Sequence, residues 1–383
     1  MNSDPVNAWR STGFGGPVLS AVGGISPNVM GARQMSLELR DPLRRALGLA
    51  SGLAVLGLPM GLRAQPVSGP AVAGSARPSR PVFVLNSQDA TVSVIDPVTW
   101  AEQRRIEVGK EPHHLYLTPD EKSLIVANAA GNSLTFIDPA TGALQRTVRD
   151  IVDPYHLRFS PDMKWFVTAA NRLNHVDLYR WQPDQAQPFK LVKRIEAPKT
   201  PSHLFIDSRS TVVYASLQDS DELMAIDLAT QAVRWKVKTG KMPADVFLTK
   251  DDRHLLLGLT GDRVVEVYDV SGTAPRLFKR ITTGEGAHAF RARGDGRHVF
   301  VSNRVANTIS MIDLQTFEVA AQLPGPGGPD CMEMMADGRT LLLSSRWARK
   351  LSVIDIDRRQ VTRQVTVGRS PHGVWTLDHA ARQ

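Results

Sequence analysis

Six of the ten histidines, His113, His114, His156, His203, His288 and His372, stand at the head of short apolar runs that open on proline or glycine. The runs are "PHHLYL", "PYHLRF", "PSHLFI", "GAHAFR" and "PHGVWT". Two more, "PADVFL" and "PDCMEM", carry Asp245 and Cys331 at the third position, which Gly373 occupies in "PHGVWT". From His114 to Gly373 the third positions lie 42, 47, 42, 43, 43 and 42 residues apart. Imidazole and thiolate are ligands that copper, iron and zinc accept, and imidazole also exchanges its proton near neutral pH. Gathered in one place, these groups could hold a metal or a haem iron, or line a pocket for an organic ligand. The bland alternative is a water-lined channel mouth whose strand starts share one ancestral histidine. No two are spaced one helical turn apart, so the chemistry requires a fold that unites positions some forty residues apart.

Cations accompany the histidines. Lys110, Lys199, Lys241 and Arg369 each stand two residues before the proline of such a run. Arg172, Arg304 and Arg346 each follow an Asn or Ser at the end of a neighbouring apolar segment. Guanidinium forks match carboxylates and phosphates, so the three arginines are the stronger anion-binding candidates. If both loop types open on one face, seven cations surround the histidines and focus a positive potential there.

The elements that must position these side chains form a repeat. "VFVLNSQDATVSVIDP" at 82–97 returns as "LIVANAAGNSLTFIDP" at 124–139, "VFVSNRVANTISMIDL" at 299–314 and "LLLSSRWARKLSVIDI" at 341–356. Weaker copies begin at 166, 212 and 255, which makes seven. Alternating apolar runs separated by turn residues read as antiparallel strands joined by hairpins. Four strands per unit, repeated seven times, predict an all-β, seven-bladed β-propeller over residues 81–378. The first unit lacks an innermost strand and the C-terminus has one to spare, "PHGVWTL", so this strand is expected to complete the first blade. Innermost strands line the propeller axis, which would put the histidines in a ring. Asp96, Asp138, Asp227, Asp269, Asp313 and Asp355 recur at the ends of third strands and read as turn initiators rather than as a metal ring.

Ahead of the repeats, residues 1–34 show no foldable pattern, and Met35 is taken as the true start. Residues 1–64 then form a leader. Arg40, Arg44 and Arg45 precede an apolar stretch from Ala46 to Leu62 that is too short and glycine-interrupted for a membrane span. Arg44-Arg45 resembles a twin-arginine export signal, which implies a periplasmic protein. Residues 65–80, rich in Pro, Gly, Ser and Ala, read as a flexible linker. Of the +8 net charge, the leader through Ala64 carries six basic and three acidic residues, leaving about +5. Nucleic acid is an unexpected partner, because no basic run is interleaved with aromatics. Cys331 is the single cysteine, so no internal disulfide forms and no Cys-x-x-Cys-His run exists to attach a c-type haem.

"VFVLNSQDATVSVID" and its copies resemble the YVTN β-propeller repeat over residues 80–377. The histidine-led innermost strands further resemble the cytochrome d1 haem-domain subgroup. That resemblance implies an iron tetrapyrrole at the propeller mouth, with His114, His156, His203 or His288 as axial ligand and Arg172, Arg304 and Arg346 on its carboxylates. The c-type haem domain of a complete haem c/haem d1 nitrite reductase is missing. The copper-cluster propeller of nitrous oxide reductase is also similar, but its cupredoxin domain is absent here. The expectation is an exported, monomeric binding protein with no membrane span after processing. It would hold a haem d1-like tetrapyrrole, copper or iron, assisted by Asp245 and Cys331, and serve cofactor handling or redox support beside a periplasmic redox protein. Two alternatives stay open. Propeller lactonases are similar and would use a hub histidine as base and an arginine at the oxyanion, and YVTN-type surface proteins use the rim as an interaction scaffold.

Overall fold

The structure is a computed structural model that describes residues 80–382; the leader and all of the linker except Arg80 lie outside the described residues. Seven four-stranded antiparallel sheets follow one another along the chain. In blade 1 the order is Pro371–Thr376, Val82–Asn86, Thr91–Ile95, Glu102–Glu107, so the last strand of the chain is the innermost strand of the first blade. The other innermost strands are Pro112–Leu117, His156–Phe159, Pro201–Ile206, Pro243–Leu248, Ala287–Ala292 and Pro329–Met334, in blades 2 to 7. No helix among the described residues is long and apolar enough to cross a membrane.

Strand period explains how the blades stack. Successive side chains point to opposite faces, and each face of a blade meets a different neighbour. Phe83 and Leu85 pack with Leu124 and Val126 of blade 2, whereas Val82 and Val84 pack with Leu342 and Leu351 of blade 7. All eight are fully buried, which is why these strands read as unbroken apolar runs. The asparagine that ends the second strand ties the hairpin from inside. Asn86 donates to Thr91 (3.1 Å) and Ser93 (2.9 Å), Asn128 to Ser133 and Thr135, and Asn303 to Thr308 and Ser310. The recurring aspartates are turn residues as expected: Asp138 accepts from the backbone of Ala140 (3.0 Å) and Thr141 (2.7 Å).

One irregularity positions the site. Pairing in blade 4 runs from Pro201↔Leu217 directly to Leu204↔Ala215, so Ser202 and His203 together oppose Ser216. Blades 1, 5, 6 and 7 carry the same two-against-one bulge, and in blade 2 the extra residue is His113. A bulge turns one side chain out of the strict alternation. Two consecutive residues of each innermost strand can then face the axis, which answers why "PHHLYL" begins with two imidazoles. Gly373 is required beside them: a Cβ there would stand 2.9 Å from Leu85 Cδ1 and 3.2 Å from the His113 carbonyl oxygen.

Blade 1 is held together by strands from the two ends of the chain, with Val82↔Thr376, Phe83↔Trp375 and Val84↔Val374 in register. A chain ending before Ser370 should therefore lose cooperative unfolding of all seven blades. Urea or thermal melts followed by circular dichroism check this, and a truncated chain that melts as sharply as the full one contradicts it.

Candidate functional site

The bulged positions build two layers at the axis. The mouth-side layer comes from the second residue of each run. His113 is sandwiched between His372 (ring centroids 3.6 Å apart) and Tyr155 (3.8 Å). Asp330 completes this layer and is fully buried. Its carboxylate takes Arg304 Nη2 at 2.7 Å and Arg346 Nη1 at 3.1 Å, with His372 Nε2 at 3.6 Å and His288 Nε2 at 3.8 Å. Burial pushes its pKa up, but the guanidiniums of Arg304 and Arg346 outweigh that and hold it well below the usual carboxylate range. Sequence reasoning passed over Asp330. Its signal was present, since it occupies the place in "PDCMEM" that His113 and His372 occupy in theirs.

The inner layer comes from the third residues. His114 lies 4.5 Å from His156 and 5.1 Å from His203, ring centre to ring centre, and His203 lies 5.5 Å from His288. His288 itself departs from the expected third position: Ala287 pairs with Asn303, so the bulge of blade 6 is His288–Ala289, which puts His288 in the mouth-side layer and Ala289 in the inner one. Three triads have ligand atoms mutually within 4.8 Å: His114 with His156 and His203, His113 with His114 and His372, and Asp330 with Cys331 and His372. Desolvation dominates their protonation. Burial lowers the pKa of His114 and His203 to about 3 and those of His113, His156, His288 and His372 well below 6.5, so all six are neutral imidazoles. Hydrogen bonds assign the lone pairs. Nδ1 of His114 donates to the Tyr155 carbonyl (2.7 Å) and Nδ1 of His372 to the His113 carbonyl (2.8 Å), which leaves Nε2 of each unprotonated. His203 Nδ1 pairs with Ser202 Oγ (2.9 Å), and its buried Nε2 has no partner. Such support of one ring nitrogen is what orients a metal-ligating histidine. His156 differs, because its Nδ1 accepts a long 3.3 Å bond from the Leu204 amide and places the proton on Nε2.

Below the histidines lies a cavity of about 260 Å³. It runs from His114, His156 and His203 between Tyr116, Phe205, Phe247 and Trp375 towards Arg291, Glu333 and Arg382. Asp245 and Cys331 also line it. The Asp245 carboxylate accepts from the amides of Val246 (2.8 Å) and Phe290 (2.8 Å), while burial pushes its pKa up. Burial likewise raises the Cys331 thiol well above 9, and its sulfur sits 3.5 Å from His372 Nδ1. At the far end Arg291 and Glu333 form a buried pair at 2.6 Å, which Arg382 joins.

The seven cations do not act as one group. Lys110, Lys199 and Lys241 are exposed to solvent. Arg369 is exposed and binds Asp89 at 2.5 Å. Arg172 bridges Glu111 (2.5 Å) and Asp153 (2.7 Å), and Arg304 with Arg346 is committed to Asp330. The mouth is thus a neutralised lattice of ion pairs above a closed aromatic stack. A tetrapyrrole does not fit this arrangement, because the cavity is below the ~300 Å³ at which pockets for drug-sized ligands begin. A single metal ion fits it.

The family model described as YNCE-like beta-propeller matches residues 45–382, and the chain belongs to that family. Comparison with curated proteins finds no match. Among solved structures, the periplasmic gluconolactonase PpgL of Pseudomonas aeruginosa is similar at 19% identity, covering 79% of this chain and 99% of that one, with a TM-score of 0.66. The dihydro-heme d1 dehydrogenase NirN, in complex with DHE, is similar at 18% identity over 78% of this chain and 76% of that one, with a TM-score of 0.60. Hydrazine synthase of Kuenenia stuttgartiensis is similar at 19% identity over 70% and 91%, with a TM-score of 0.58. At these identities the likeness is one of fold.

Two outcomes are expected of the hub. Replacing Asp330 by Ala strands two half-buried guanidiniums and should cost about 3–5 kcal/mol in urea unfolding, whereas a loss under about 1 kcal/mol would contradict the account. Acid should also destabilise the metal-free protein. The folded state refuses protons that the unfolded histidines accept below pH 6.5, so stability is full above that value and falls as pH drops towards about 3. The slope is up to about 1.4 kcal/mol per pH unit for each buried imidazole, opposed by Asp245, whose raised pKa favours acid. Urea midpoints at pH 7 and pH 5 measure it, and equal midpoints contradict it.

Proposed function

We propose that this member of the YNCE-like β-propeller family is an exported, periplasmic binding protein that holds a transition-metal ion at its hub. It would take a small anionic ligand in the adjoining cavity and serve cofactor handling or redox support beside a periplasmic redox protein. The observation that carries the reading is the triad of His114, His156 and His203, neutral, at least half-buried and facing the cavity. The Nδ1–H bond of His114 and the unpartnered Nε2 of His203 support it, and His156 would join them by turning its ring from the Leu204 amide. Neutral imidazoles suit copper, iron, nickel or zinc, and an incomplete ligand set leaves a coordination position for another molecule. Bound there, the ion would supply a Lewis-acid or redox centre. The chain's own part is to orient the rings, exclude water with the His113 stack and offer Asp245 or Cys331 as further donors. A d1-type tetrapyrrole is the less supported ligand, since admitting it would require His113 to leave Tyr155 and His372.

Metal analysis and an absorption spectrum of protein purified mildly from periplasm test this reading. About one copper, iron or zinc per chain is expected, retained through dialysis and lost in both His114→Ala and His203→Ala. A folded, colourless protein that neither contains nor takes up these metals would sink it.

A further inference from the structure

Arg158 is the cavity's unclaimed charge. Every other arginine noted around the axis has a carboxylate: Arg172 has Glu111 and Asp153, Arg304 and Arg346 share Asp330, and Arg291 and Arg382 share Glu333. Arg158 lines the cavity two residues beyond His156 and has no carboxylate partner within 4.0 Å among the described residues. Its guanidinium carbon lies 4.9 Å from the centre of the Phe205 ring and 5.6 Å from that of Tyr116. Its Nε donates to the Leu204 carbonyl at 3.1 Å, and its two terminal nitrogens have no protein hydrogen-bond partner among the described residues. The fork is therefore held flat by neighbours in blades 2 and 4, with its paired donors still to be used. A second donor agrees with it. Trp375 lines the same cavity, and its buried indole N–H has no acceptor. An indole nitrogen can only donate, so the ligand must bring lone pairs.

We propose that the cavity binds a small organic carboxylate, forked onto Arg158 and packed by its carbon skeleton against Phe205, Phe247 and Phe290. A planar oxyanion satisfies both terminal nitrogens at once, which a lysine or a neutral amide partner cannot reproduce. The apolar walls select an organic anion over phosphate, and the volume of about 260 Å³ excludes nucleotides and polymers. This deepens the reading of the hub as a ligand site but does not depend on the metal.

Calorimetric titration of the full chain, metal-loaded and chelator-treated, with acetate, lactate and benzoate, each beside its neutral amide, tests the proposal. At least one anion should bind one per chain, at least about tenfold more tightly than its amide. Arg158→Gln should remove that preference, and Arg158→Lys should restore it only in part. Circular dichroism of both variants confirms that they remain folded. Equal binding of anion and amide, unchanged binding in Arg158→Gln, or no anion binding to either form of the folded chain would overturn it. Arg158-dependent binding to a chain that takes up no metal would keep this proposal while the metal reading falls. Stoichiometric metal without anion binding would do the reverse.

Discussion

The antiparallel pairing of Pro371–Thr376 with Val82–Asn86 is the constraint on which everything at the axis rests. It joins strands from opposite ends of the chain, so no local segment can form blade 1 alone. Without it, two blade faces rich in fully buried valine, leucine and phenylalanine would be open to water. The hub depends on it more directly still. His372 sits on the closing strand, stacks on His113, donates to the His113 carbonyl and meets Asp330 of the neighbouring blade 7. Closing the ring and completing the mouth-side layer are one event.

Once closed, the ring forces a choice on every polar group inside it. A buried charge without a partner is costly, so it must pair or become neutral. The mouth-side layer pairs: Asp330 stays ionised because two guanidiniums surround it. The histidines of both layers neutralise: six imidazoles give up their protons because desolvation outweighs what nearby carboxylates offer. Neutral imidazoles are the form that accepts a metal, so the condition that lets the hub fold also keeps it ready for one. Arg158 fits neither choice fully. It remains half-buried, leaning on aromatic faces, which are a weaker partner than a carboxylate.

Much of this was legible in the sequence because repeats turn one-dimensional spacing into geometry. The recurrence of "VFVLNS" and "TVSVID" fixed blade number, strand count and closure, and the even spacing of third positions placed His114, His156, His203, Asp245 and Cys331 on one ring, but it misplaced His288, because blade 6 enters its strand one residue later and Ala289 takes the ring position. Which loop cations enter the hub was not legible. Lys110 and Arg346 both stand in loops expected to open on the histidines, yet one is solvated and the other bends inward to a carboxylate. That difference is set by Asp330, whose importance depends on a bulge that pattern reading cannot see. Arg158 was hidden for a related reason. Its register position carries tyrosine, phenylalanine or tryptophan in four other blades, as Tyr116, Phe205, Phe247 and Trp375, so a single arginine looked like variation on an apolar theme.

The direction of access follows from the same distinction. At the mouth, the aromatic stack and the carboxylate–guanidinium pairs satisfy one another, and a ligand entering there would have to break them. On the other side of the histidine layer, the donors of Arg158 and Trp375 and the Nε2 of His203 remain unmatched beside open volume. A ligand arriving from below gains hydrogen bonds without displacing any. The opposite end is crossed by the C-terminal segment, where Arg291 donates to the carbonyls of Ala380 (2.7 Å) and Ala381 (3.0 Å) and Arg382 reaches Glu333. Paired groups thus lie at both ends of the axis, and the unpaired donors lie between them. Binding capacity is concentrated where the fold has left its polar groups unsatisfied.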